Sequence, residues 1–113
     1  MTDQMRIYMA EGTWVVRAAG AVIGESARAL ELSGPGGAPV IYFPRDDIAM
    51  AFLDRSEKQT ASPVLGTASH YTIAAKSGPI ADAAWSYETP AAGMEAIAGH
   101  LAFAPDKVTV ERL

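Results

Sequence analysis

Three short runs in this sequence carry side chains that can do chemistry. Arg45, Asp46 and Asp47 follow Pro44 at the end of a β-forming run. A guanidinium there offers a planar fork of donors, suited to clamping an anion or an amide. The same three residues can equally cap a short helix and close a structural ion pair. Ser69 and His70 are adjacent, which invites a nucleophile and its base. Neighbours on a strand point to opposite faces, however, so they form no such pair without a bulge. Ser69 shares a face with Tyr71, and His70 with Thr72, so a hydrogen-bonding role within the sheet is expected for the serine. Asp82, Trp85 and Tyr87 make the third group. On a regular strand Trp85 and Tyr87 share a face and can line a pocket, stack on a planar ligand or face a cation. In a chain rich in alanine, the same two rings serve equally well as core. His70 and His100 are the two histidines. A metal site needs both of them with a carboxylate such as Asp82 or Glu88, and nothing in their spacing demands it. No metal and no cofactor are expected.

Composition narrows the classes further. A length of 113 residues fits one domain, residues 1–113. A chain of this size buries roughly two-thirds of its unfolded surface. Because so many of its apolar residues are alanine, the core must lean on Trp14, Trp85, Phe43, Phe52, Phe103 and the tyrosines. The sequence has no cysteine, which removes disulfides, thiolate catalysis, cysteine zinc sites and iron–sulfur clusters. Its net charge is −4 with scattered basic residues, so no nucleic-acid partner is expected. Met1–Arg6 lacks the basic-then-apolar pattern of a leader. No apolar run approaches the roughly 20 residues of a membrane span. The sequence therefore reads as soluble and cytoplasmic, with no membrane partner.

The elements that must position these groups read mostly as antiparallel strands. Thr13–Ala18 and Ala21–Glu25 flank an Ala19-Gly20 turn, and Ala27 to Leu32 continues as a short strand. Ser33 to Pro39 is a loop. Val40 to Phe43 is a strand that Pro44 ends by withholding a donor. Asp46 or Asp47 is expected to cap a short helix over Ile48 to Leu53, followed by a polar stretch from Asp54 to Gln59. Thr67 to Ala75 alternates as a strand, turns at Lys76 to Pro79, and returns through Ile80 to Tyr87. Pro90 suits the start of a further helical turn or two over Ala91 to Ala96. Leu101 to Phe103 and Val108 to Val110 read as strands around Pro105-Asp106.

Three segments, in this order, carry a resemblance: Tyr42-Phe43-Pro44-Arg45-Asp46-Asp47-Ile48, Gly66-Thr67-Ala68-Ser69-His70-Tyr71 and Asp82-Ala83-Ala84-Trp85-Ser86-Tyr87. Together they resemble the bacterial-type domain-of-unknown-function 427 family, and Ile97 to Phe103 resembles its closing strand. The resemblance spans about Trp14 to Val110. It implies a β-tent-like fold of two antiparallel sheets meeting at an angle, with one or two short helices. Zinc-bearing and sulfoxide-reducing relatives in that broad group use cysteines that this chain lacks. A nucleotidyltransferase label attached to the family implies a Gly-Ser turn with spaced acidic residues, and that arrangement is absent. Where many members carry cysteine-proline-aromatic-lysine, this chain has Ser62-Pro63-Val64-Leu65, and His70 replaces a common aromatic.

Three functions follow as expectations. The first is binding of a small polar or planar molecule, with Tyr42, Arg45, Asp46, Ser69, Tyr71, Asp82, Trp85 and Tyr87 as the contacting residues. The second is an enzyme of unstated reaction using Asp46, Asp82 or His70 as acid or base. The third is an interaction module, a homodimer joined through a sheet edge.

Overall fold

The computed structural model describes residues 5–34 and 37–113. Among the described residues, ten strands form three antiparallel ladders. The first hairpin joins β2 (Trp14–Ala18) to β3 (Ala21–Ser26), and β10 (Thr109–Arg112) pairs with the other side of β2. Its turn places Ala19 at φ +50° and Gly20 at φ +84°. A tight two-residue hairpin needs this left-handed pair to follow the strand twist, and the glycine supplies it at no steric cost. A second ladder has the order β1 (Arg6–Met9), β4 (Leu30–Ser33), β5 (Val40–Tyr42). The third runs β6 (Leu53–Ser62), β7 (Gly66–Ala75), β8 (Gly78–Ser86), β9 (Ala102–Phe103).

Both faces of the β6–β9 sheet are covered at its β8–β9 end, and this is what positions the chemistry. Residues opposite each other in an antiparallel pair share a face. Tyr71, Ala84 and Phe103 are opposed in this way, and all three lie in the larger core with Val16, Phe43, Ile73 and Leu101. His70, Trp85 and Ala102 are opposed on the other face. There Ala102 joins a smaller core with Leu32, Tyr42, Ala68, Tyr87 and Ile97, against which Trp85 packs. Phe43 exchanges both backbone hydrogen bonds with Leu101, at 2.8 and 2.9 Å, so β5 is tied to the chain entering β9.

The mostly-β antiparallel architecture expected from the sequence is the one found, but four local expectations are corrected. The helix expected over Ile48 to Leu53 is a pair of single 3₁₀ turns, Arg45–Asp47 and Met50–Phe52. Asp47 does not cap it, because its carboxylate accepts from the Ser26 hydroxyl at 2.6 Å and from Arg28 at 3.2 Å. Ile48 is extended and bridges Gly24, which interrupts any helical run. Likewise only Glu95–Ile97 turns within the second expected helix. The polar stretch Asp54 to Gln59 lies inside β6, which is charged and exposed because it is the free edge of its sheet. Finally, the last two strands do not pair about Pro105, since β9 joins β8 and β10 joins β2. Of the Ser33 to Pro39 loop, Pro35 and Gly36 lie outside the described residues. No helix among the described residues is long and apolar enough to cross a membrane.

Candidate functional site: an uncharged aromatic cleft

A cleft of about 470 Å³ opens between the β4–β5 edge and the His70 face of β7 and β8. Its aromatic wall follows from strand register. His70 on β7 lies opposite Trp85 on β8, and the two rings stand 6.5 Å apart at 38°. Trp85 donates its indole N–H to the Tyr42 hydroxyl at 3.2 Å, which links β8 to β5 across the floor. Tyr87 follows at the end of the same strand, buried beside them. Leu32, Val40 and Leu65 supply the apolar remainder.

Two irregularities shape this wall. Between the Arg55–Tyr71 and Gln59–Ser69 pairs, β6 carries three residues opposite the single His70, a bulge that loosens the ladder beside the cleft. Past that bulge the Thr60 hydroxyl meets His70 Nε2 at 2.9 Å and fixes the ring. Gly66 sits at φ +106°, and a Cβ there would lie 3.1 Å from the Ala91 nitrogen. Glycine thus lets Ala91 donate to the Leu65 carbonyl at 2.9 Å, which holds Leu65 at the rim.

The lining is electrically quiet. Among the described residues around the cleft there is no aspartate, glutamate, lysine or arginine. Burial, and next Lys58, push the His70 imidazole down, while Asp82 pulls the other way. Burial pushes the Tyr42 phenol up to about 12, and it raises Tyr87 as well. At neutral pH both tyrosines are uncharged phenols.

The residues expected at one site fall into separate places. Tyr42, Trp85 and Tyr87 line the cleft together. Arg45 and Tyr71 meet instead on the opposite face of β7, around Glu88. The Tyr71 hydroxyl and an Arg45 amino group each donate to Glu88 Oε2 at 2.7 Å. Arg45 Nε donates to the Gly99 carbonyl at 3.1 Å, and the guanidinium lies 5.9 Å from the Tyr71 ring centre. Asp46 sits beside Arg45 at a separate shallow depression that includes Gly99 and His100. Ser69 is buried and accepts from Arg55 at 2.8 Å. Asp82 occupies a β8 bulge at φ +50°, where its backbone N–H donates to the Thr72 hydroxyl at 3.3 Å. Sequence reasoning passed over Thr60 and Leu65 as lining residues and weighed Glu88 only as a metal ligand. Thr60 lay just past the stretch read only as polar, Leu65 was noted only as a departure from the pattern of the resemblance, and Glu88 fell between two expected elements.

The Glu88 cluster makes a pH prediction. Burial works to raise the Glu88 carboxyl, yet Tyr71 and Arg45 outweigh it and hold the group below its ordinary value of 4.5. A depressed carboxyl stabilises the fold at pH above its unfolded value, and that contribution disappears as pH falls through the folded value. Stability is therefore expected to fall below about pH 4.5 more steeply in the native protein than in Glu88→Gln. At neutral pH the substitution should cost about 1 kcal/mol or less, since Glu88 and Arg45 are both partly exposed. Urea titrations across pH 3 to 7 check this, and parallel profiles for the two proteins would contradict it.

The fold and this cleft define a mostly-β, antiparallel domain whose concave surface is aromatic and uncharged. The chain belongs to the family described as a domain of unknown function (DUF427), whose model matches residues 6–113. No curated protein matches the chain.

Proposed function

We propose that this protein binds a small planar molecule in the cleft between β5 and β8. The observation that carries the reading is the wall of His70, Trp85, Tyr42 and Tyr87 around about 470 Å³ of open volume. Small-molecule sites commonly measure roughly 300–1,000 Å³ and combine apolar walls with a few placed polar groups. Rings of this kind present flat faces at low conformational cost and favour stacking. Two of them are fixed by hydrogen bonds, His70 by Thr60 and Trp85 by Tyr42, so the wall is organised before any ligand arrives.

Blocking the volume tests the proposal more cleanly than truncating its walls. Leu65 is partly exposed at the rim, so Leu65→Trp can fill the cleft without opening a cavity in the core. A thermal-shift screen against a library of planar metabolites should give hits that raise apparent stability by ~2.7 kcal/mol at a hundredfold excess over Kd. Those hits should vanish in Leu65→Trp and survive in Asp46→Ala, which lies at the other depression. Hits that survive Leu65→Trp, or a library without hits, would refute binding in this cleft.

A further inference from the structure

We infer, building on the reading of the cleft as a ligand site, that its ligand is an uncharged fused-ring molecule whose carbonyl or ring-nitrogen acceptor takes the hydrogen of the Tyr42 hydroxyl. The hydrogen-bonding inventory of the cleft leads there. A phenol has one hydrogen to donate and can accept as well. Tyr42 already accepts from Trp85 Nε1 at 3.2 Å, and its own hydrogen has no acceptor among the described residues. The Trp85 indole has spent its single donor on Tyr42, so it offers the cleft only its ring. Thr60 and His70 Nε2 satisfy one another at 2.9 Å. The Tyr87 hydroxyl also has no partner among the described residues, and His70 Nδ1 is buried without one. Tyr42, however, is the hydroxyl that a neighbouring donor, Trp85, holds in a fixed orientation on the cleft floor.

The charge of the ligand follows from what the lining lacks. An anion entering the cleft would lose water and meet no lysine or arginine among the described lining residues. A cation would meet no carboxylate there, and Lys58 and Lys107 both act against positive charge at the His70 ring. Burying an ion without a partner is far costlier than burying a hydrogen-bonded neutral group. The nearest guanidinium that sequence reasoning assigned to the ligand, Arg45, is engaged by Glu88 and Gly99. Because burial keeps the Tyr42 phenol protonated far above neutral pH, it remains a donor under all ordinary conditions. A volume near 470 Å³ accommodates a ligand of about two or three fused rings.

Three probes on one ring system test this: 2-naphthamide, 2-naphthoate and 2-methylnaphthalene, titrated calorimetrically into the full chain at pH 7.5. The amide is expected to bind, the carboxylate to bind at least about thirtyfold more weakly, and the hydrocarbon about tenfold more weakly than the amide. Tyr42→Phe should bring the amide down to the affinity of the hydrocarbon and leave the hydrocarbon unchanged. The hydrocarbon comparison on the native protein reads the same contact should Tyr42→Phe fold poorly. If naphthoate binds as tightly as naphthamide and Leu65→Trp abolishes both, the site stands and the neutral-ligand inference is wrong. If the amide and the hydrocarbon bind equally, the Tyr42 contact is wrong. If binding of all three survives Leu65→Trp, or none binds, the cleft reading falls and the inference with it.

Discussion

Phe43→Ala is expected to cost about 3–5 kcal/mol, a large share of the ~5–15 kcal/mol that holds a domain of this size together. Phe43 is fully buried and belongs to the larger core. Its ring meets Phe103 edge-on, with centroids 5.8 Å apart at 80°, an arrangement that adds to simple burial. Its backbone closes the paired hydrogen bonds with Leu101. One residue therefore joins the β1–β4–β5 ladder to the β6–β9 sheet by both main chain and side chain. Truncation leaves a cavity at the junction, where two sheets would have to shift together to close it. Equilibrium urea unfolding followed by tryptophan emission measures the cost. Phe43→Leu, which keeps most of the volume, should lose roughly half as much. A loss under ~1 kcal/mol for the alanine variant would mean that this junction does not carry the fold.

The second large effect is expected at Trp85. Trp85→Ala should lower stability by about 2–3 kcal/mol, less than for a wholly buried tryptophan because one face of the ring opens to the cleft. It should also abolish ligand binding, since the stacking wall is gone and Tyr42 loses the donor that orients it. Trp85→Phe separates the two roles. It retains an aromatic face but no N–H, so stability should fall by about 1 kcal/mol while planar ligands still bind with reduced affinity. Chemical denaturation and ligand titration on the same preparations give both readouts. Full binding by Trp85→Ala would place the ring in the core alone, and unchanged stability would place it in the cleft alone. The structure has it touching both, packed on the smaller core and lining the opening.

The two sides of the β6–β9 sheet explain why residues from three sequence runs do not make one site. Alternation sends His70, Trp85 and Tyr87 to one face and Ser69, Tyr71 and Ala84 to the other. The runs converge on the same end of the same sheet, yet from opposite faces. Glu88 lies immediately after Tyr87 and joins Arg45 and Tyr71 on the second face. That cluster braces the far side of the sheet while the near side forms the cleft wall.

Much of this was legible in the sequence. Local signals determined the β2–β3 hairpin, with its Ala19-Gly20 turn, the end of β5 at Pro44, and the β7–β8 hairpin. Each depends on backbone restrictions at glycine and proline and on β-branched or aromatic alternation over a few residues. The same alternation correctly placed Trp85 and Tyr87 together and kept Ser69 away from His70. The resemblance carried by the three runs gave the family, which the match over residues 6–113 bears out. What neighbouring residues could not reveal was decided by partners far along the chain. Asp47 reads as a cap until Ser26 and Arg28 draw its carboxylate away. Asp54 to Gln59 reads only as a polar stretch until β7 supplies a ladder for it, and β10 reads as the partner of β9 until β2 takes it. Arg45 reads as a ligand clamp until Glu88, 43 positions later, engages it. Strand pairing and charge pairing cost loop-closure entropy that local sequence does not reveal, so which face a side chain serves, and whether it remains open to a ligand, is settled only when the sheets meet.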